Sequence, residues 1–134
     1  MDKVLYSSVS DNWATPQYFF DELNKEFKFS LDLCANKSNA KCKKYFTKKE
    51  DSLSKTWKGN CWLNPPYGRN IIKWVKKAHE SKCLVVALLP SRTDTKWFHS
   101  YIYKKHKVRF IKGRLKFGKA TDNAPFPSMV VIFK

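Results

Sequence analysis

The run from Gly59 to Pro90 reads GNCWLNPPYGRNIIKWVKKAHESKCLVVALLP. Cys61, Trp62 and Leu63 make a short apolar strand pattern that stops abruptly at Asn64-Pro65-Pro66-Tyr67. Ile71, Ile72, Trp74, Val75 and Ala78 then fall on one side of a helix over IIKWVKKAHES. KCLVVALLP follows as a continuous apolar run, the pattern of a central parallel strand covered on both faces. Strand, helix and strand in so short a span predict an open α/β sheet.

Upstream, Thr15 before Pro16 reads as an N-cap followed by proline at the first helical position, opening a helix to Phe27. Tyr18, Phe19, Leu23 and Phe27 recur along it at helical spacing. KFSLDLCAN is expected to be a strand ending at Asp32 to Ala35, and KCKKYFT a second strand. KKEDSLSKTW has turn character, and the interval from Asp32 to Asp51 is too short for a full strand-helix-strand crossover. Downstream, TKWFHSYIYKKH reads as a second amphipathic helix, and KVRFIKGRLKF and PSMVVIFK as closing strands that pair antiparallel. Residues 1–10 read as a loose leader and residues 11–134 as a single domain.

The chain has 134 residues, enough for one core, and a formal charge of +16, which favours a polyanionic partner through counterion release. None of Cys34, Cys42, Cys61 and Cys83 forms a C-x-x-C, and His79, His99 and His106 lie far from them, so no metal site is expected. Cys61 and Cys83 sit in apolar runs and read as buried thiols. The polar N-terminal stretch lacks a signal-peptide core, and no apolar run reaches membrane-span length. A reduced, cytoplasmic protein without a membrane partner is the expectation, as a monomer or weak dimer.

The corner after the strand carries the chemistry. Pro65 and Pro66 fix two φ angles and restrict the residue before each. Asn64 and a nearby backbone carbonyl then form a stiff pair of acceptors for an NH2 group, and Tyr67 adds a ring on which a flat group can stack. Adenine, cytosine and the amide of glutamine all satisfy that description. An exocyclic amine gripped through its hydrogens is eased toward a tetrahedral nitrogen as it attacks a methyl group, a stabilisation by fixed dipoles.

NPPY in this setting matches the motif of amino-group methyltransferases. DNWATPQYFFDEL, LDLCAN, DSLSKTW, CWLNPPYG, LLPSRTDTKWFH, GRLKF and PSMVVIF occur in order over residues 11–134, and together they resemble the small phage-type DNA N6-adenine methyltransferases. The resemblance implies a Rossmann-like fold with an open, mostly parallel sheet and an antiparallel C-terminal strand. It implies S-adenosylmethionine as donor and adenine in DNA as acceptor, flipped out of the duplex, with Asn64, Pro65, Pro66 and Tyr67 catalytic. Trp13, Thr15, Pro16, Asp32, Ala35, Asp51 and Asn64 are implied on the donor side. Trp13 and Thr15 would lie against the methionine end of the donor or the catalytic loop. The wider methyltransferase class has a glycine-rich loop where DLCANKSNAKC has no glycine, so approach to the donor falls to Ala35 and small polar residues. Arg69, Arg92, Thr93, Asp94, Lys96 and Arg114 are the expected DNA contacts, with Trp97 and Lys116 beside them. Two other readings fit the residues: methylation of a protein glutamine, and an inactive basic protein that coats DNA.

Overall fold

A computed structural model describes residues 14–117 and 124–134. The leader at 1–10 and Trp13 lie outside the described residues. The elements run α1 (Gln17–Phe27), β1 (Leu31–Asp32), two 3-10 turns (Lys48–Glu50 and Ser52–Ser54), β2 (Asn60–Leu63), α2 (Ile71–Glu80), β3 (Leu84–Pro90), α3 (Lys96–Tyr101), β4 (Lys107–Phe110) and β5 (Ser128–Phe133). One five-stranded sheet has the order β1-β2-β3-β5-β4. β1, β2 and β3 are parallel, and β5 lies antiparallel between β3 and β4.

β3 is the centre of this sheet. Val85 to Leu89 are fully buried, and β2 and β5 hydrogen-bond its two edges. Fully burying each large aliphatic side chain there contributes roughly 1.5–3 kcal/mol. That is why a run with no polar alternation is stable at this position and nowhere nearer the surface. α2 buries Ile71, Trp74, Val75 and Ala78, as the spacing predicts, while Ile72 is only partly covered. α1 buries Phe20 and Leu23. Phe20 sets its edge against Trp62 at a centroid distance of 5.4 Å, and Phe29 closes the cluster at 5.5 Å from each ring. Tyr18, expected on the apolar stripe, is 67% exposed, so the buried face of α1 is rotated toward Phe20.

Three local expectations are corrected. KCKKYFT is not a strand; it contributes a single parallel bridge, Asp32 to Tyr45. Thr15 does not cap α1: Pro16 is the cap residue and receives no side-chain cap bond. KVRFIKGRLKF is a strand only to Phe110. Cys61 is buried and Cys83 half-buried, with their sulfurs 3.9 Å apart. The crossover from β1 to β2 contains no α-helix, in keeping with the short interval. Its last residue before β2, Gly59, has φ +77°, and a Cβ there would stand 2.6 Å from Ser30 Oγ. Glycine is therefore required where the chain turns in to pair with β1.

Candidate active site

Parallel pairing brings the C-terminal ends of β1, β2 and β3 to one edge of the sheet, where ligands of open α/β sheets bind. Asp32 pairs with Trp62, so Asn64 stands two residues further along the neighbouring strand. Between them opens a cleft of about 910 Å³ lined by Thr15, Asp32, Ala35, Asp51, Asn64 and Tyr67 among others. The loop after β1, the polar turns at 47–53, the proline corner and the start of α2 thus share one cavity.

Asp32 is 2% exposed. Its Oδ1 accepts from the Cys34 amide at 3.2 Å and its Oδ2 from the Lys41 amide at 3.0 Å. The carboxylate therefore ties both ends of the loop that replaces the glycine-rich turn. Burial pushes its pKa up from 3.8 to about 6, against the pull of those two amides. Inside the loop, Asn36 Oδ1 accepts from the Ser38 and Asn39 amides at 2.9 and 3.0 Å, while Asn39 Oδ1 accepts from the Asn36 amide at 2.7 Å. Side-chain amides thus do here what left-handed glycines do elsewhere. Cys34 also lines the cleft, but burial pushes its thiol up to about 12, far from a nucleophile's range.

Asp51 has left-handed backbone, φ 53° and ψ 76°, between the two 3-10 turns. Trp57 holds that segment: its indole N–H donates to Ser52 O at 3.0 Å, and its ring stacks on Trp74 of α2 at 6.2 Å. Lys77 adds a second brace, donating to the carbonyls of Leu53 and Lys55 at 2.9 and 2.6 Å.

Asn64 is half-buried, and its Nδ2 donates to Thr15 Oγ1 at 3.0 Å. Pro65 is buried beneath the corner and Pro66 lines the cleft. Tyr67 is 5% exposed; its hydroxyl donates to Leu88 O of β3 at 2.9 Å, and its ring meets Phe126 and Phe117 edge-on at 5.5 and 6.3 Å. Burial drives its phenol pKa upward. Tyr67 is thus a ring pinned to the central strand, with little of it open to the cleft.

Arg69 lines the cleft and is exposed. Arg92, Thr93, Asp94, Lys96 and Arg114 do not line it; all five are exposed, Lys96 at the start of α3 and the others on loops. Arg92 lies over Phe126 at 6.0 Å, one ring away from Tyr67. Trp97 is buried and packs in the core. Lys41, Asn70 and Lys73 reach the cleft without having been expected there. Asn36, Ser38 and Asn39 carry the local chemistry of a self-braced turn, a signal that the sequence reading does not use, whereas the Lys41 amide is brought to Asp32 by a loop closure that no local motif announces. Among the described residues, no group of His, Cys, Asp and Glu is arranged to hold a metal ion, and no helix is long and apolar enough to cross a membrane.

A family model described as DNA N-6-adenine-methyltransferase (Dam) matches residues 3–134. The DNA N-6-adenine-methyltransferase of Haemophilus phage HP1 (strain HP1c1) is 35% identical over 140 residues, covering 95% of this chain and 80% of that protein. The protein of the same name from Escherichia phage T1 is 36% identical over 97 residues, 68% of this chain and 40% of its own length. The putative methyltransferase YfdM of Escherichia coli (strain K12) is 39% identical over 67 residues, 44% of this chain and 74% of its own. With a match that spans the proline corner, the Asp32 loop and the closing strands together, the chain belongs to the DNA N-6-adenine-methyltransferase family.

Proposed function

We propose that this protein transfers a methyl group from S-adenosylmethionine to the exocyclic N6 of an adenine flipped out of DNA. The observation that carries the reading is the shared cleft, with the proline-stiffened Asn64 at one wall and the buried Asp32 carboxylate at the other. Membership of the family selects adenine over cytosine and the glutamine amide, which the corner's chemistry alone allows. It also speaks against a merely DNA-coating role.

The residues of the cleft suit this donor. A buried carboxylate with a raised pKa is poorly compensated and gains most from a cation, and the donor carries an ammonium and a sulfonium. Asp51 and Ala35 line the same cavity from different segments, the carboxylate suiting hydroxyl contacts and the methyl a ring. When bound, the donor supplies an electrophilic methyl on positive sulfur. Asn64 Oδ1 and a carbonyl of the proline corner accept from the two N–H bonds of the target amine. That draws the nitrogen lone pair out of conjugation and holds it in line for attack. The new N–C bond forms as the S–C bond breaks, and the amine then releases one proton to solvent. The Tyr67 phenol takes no part in proton transfer, because its hydroxyl is committed to Leu88 O. Its ring bounds the space for the target base.

Arg69 is placed to hold backbone phosphate at the cleft mouth, and Arg92, Thr93, Asp94, Lys96 and Arg114 form an outer DNA-facing rim. The loops of this single catalytic domain carry a modest sequence specificity, and the protein works in the cytoplasm as a monomer or weak dimer. Methylation mapping on random DNA tests the specificity; a strict, long recognition site would count against it.

The deciding experiment is incubation with labelled S-adenosylmethionine and DNA, followed by nucleoside analysis. N6-methyladenosine is expected as the labelled product. Asn64→Ala should keep DNA affinity and lose transfer by roughly 10²–10³-fold, the size of effect seen when a fixed transition-state dipole is removed. Folded protein that leaves every adenine unmodified refutes the proposal.

A further inference from the structure

We infer that Thr15 is a positioning residue for the Asn64 amide, a role that rests on the proposed reaction and adds a new part to it. Thr15 is 5% exposed, and its Oγ1 accepts from Asn64 Nδ2 at 3.0 Å across 49 positions of sequence. Both partners precede a proline. Pro16 restricts the backbone of Thr15 as Pro65 restricts that of Asn64. Threonine is also stiff at χ1. The hydrogen bond therefore joins two pre-proline residues whose backbones have little freedom to move.

The consequence for the amide follows from its shape. Asparagine χ2 is a broad, roughly two-fold torsion, so proline stiffness in the backbone does not by itself set the amide plane. Anchoring Nδ2 on a buried hydroxyl does, and it leaves Oδ1, which is buried in this structure, as the acceptor that the target amine meets once the base enters. Thr15 gives up its place as the cap of α1 for this contact. The helix starts without a side-chain cap; Pro16 O accepts the first helical bond from the Phe20 amide at 3.2 Å and also takes the Phe19 amide at 3.1 Å. A local stabilising bond is thus forgone where a long-range one to the proposed catalytic amide is made.

The test compares Thr15→Val, which keeps the shape and removes the hydroxyl, with Thr15→Ser, which keeps the hydroxyl; Thr15→Ala is made in parallel in case valine prevents folding. Thr15→Val and Thr15→Ala should lower kcat by about tenfold or more, the rate equivalent of one net hydrogen bond lost from positioning. Donor Kd by calorimetry and DNA KM should stay within about twofold, and Thr15→Ser should recover most of the lost kcat. Independently of activity, the Asn64 side-chain NH2 signals, assigned by their loss in Asn64→Ala, should shift and exchange faster with solvent in Thr15→Val. An unchanged kcat, a donor Kd that rises by the factor expected of kcat, or unchanged amide signals would overturn the inference. Wild-type protein that methylates nothing would defeat the proposed reaction instead, while the amide signals still report on the hydrogen bond.

Discussion

Asp32→Asn separates what the buried carboxylate does to the fold from what it does for the donor. The wild-type carboxyl has a folded-state pKa of about 6 against 3.8 in the reference state, and burial is the largest cause. The folded protein therefore binds this proton more tightly than the unfolded chain. Asp32 costs nothing well below pH 3.8; its ionisation destabilises the fold increasingly as pH rises from about 4 to about 6, and the loss then stays constant. The gap between the two values, at about 1.36 kcal/mol per pH unit, gives a full cost of about 3 kcal/mol. Asparagine removes this titration. It keeps an acceptor for the Cys34 amide but turns an NH2 toward the Lys41 amide, a penalty of about 1–3 kcal/mol that does not vary with pH. In urea titrations the variant should therefore gain on the wild type by about 2 kcal/mol between pH 4 and pH 7.5. Parallel stability curves would refute the burial argument.

The same carboxylate should govern donor affinity. A cation seated against Asp32 requires the ionised form, so binding below pH 6 must first expel a proton. Calorimetry should find the Kd for S-adenosylmethionine about tenfold weaker at pH 5 than at pH 7, with proton release at the lower pH. Asp32→Asn should bind weakly and without that pH dependence. A wild-type Kd flat from pH 5 to 7 would show that the ammonium and sulfonium lie elsewhere, whatever the stability curves say.

Trp57→Phe should cost about 1–1.5 kcal/mol of stability through the lost bond to Ser52 O, and weaken donor binding by freeing the strained Asp51 segment; denaturant titration and calorimetry read the two effects. Arg69→Ala should weaken DNA binding about equally across sequences and reduce the slope of log K against log salt by about one. Filter binding at several salt concentrations checks it, and an unchanged slope removes Arg69 from the phosphate contacts.

Legibility followed the range of the interactions. β3 was readable because a run buried on both faces leaves no polar alternation, and α2 because one face of it is covered and the other wet. The NPPY corner was readable because proline acts locally on its neighbours. KCKKYFT misled: it runs beside β1 for a single bridge only, where the Asp32 amide donates to Lys44 O and the Asp32 carbonyl accepts from the Phe46 amide, and the Asp32 carboxylate takes the Lys41 amide at the segment's start, which ends the pairing there. Thr15 misled for a related reason. Thr-Pro before a helical pattern is a sound local cap signal, and it was overridden by a partner 49 residues away. The rim residues Arg92 to Lys96 were placed correctly at the end of β3 but not in the cleft, because the sequence does not show that Phe117 and Phe126 stand against Tyr67 between them.

Three long-range bonds bear on mechanism. Asp32, Thr15 and Tyr67 each spend a polar group on a backbone or side chain brought close only by the fold: the Lys41 amide, the Asn64 amide and the Leu88 carbonyl. Each bond costs a local alternative, and each fixes one wall of the same cleft. A direct methyl transfer has no covalent enzyme intermediate and no metal to hold its partners, so its rate depends on how little the walls move. Local sequence does not announce these three bonds, because each group is committed to long-range order, which is what positioning chemistry demands of a small domain. Crossing Thr15→Val with Asp32→Asn separates the walls: independent walls predict that the losses in kcat/KM for the donor multiply, whereas a double variant no worse than the worse single one would mean that the cleft moves as a unit.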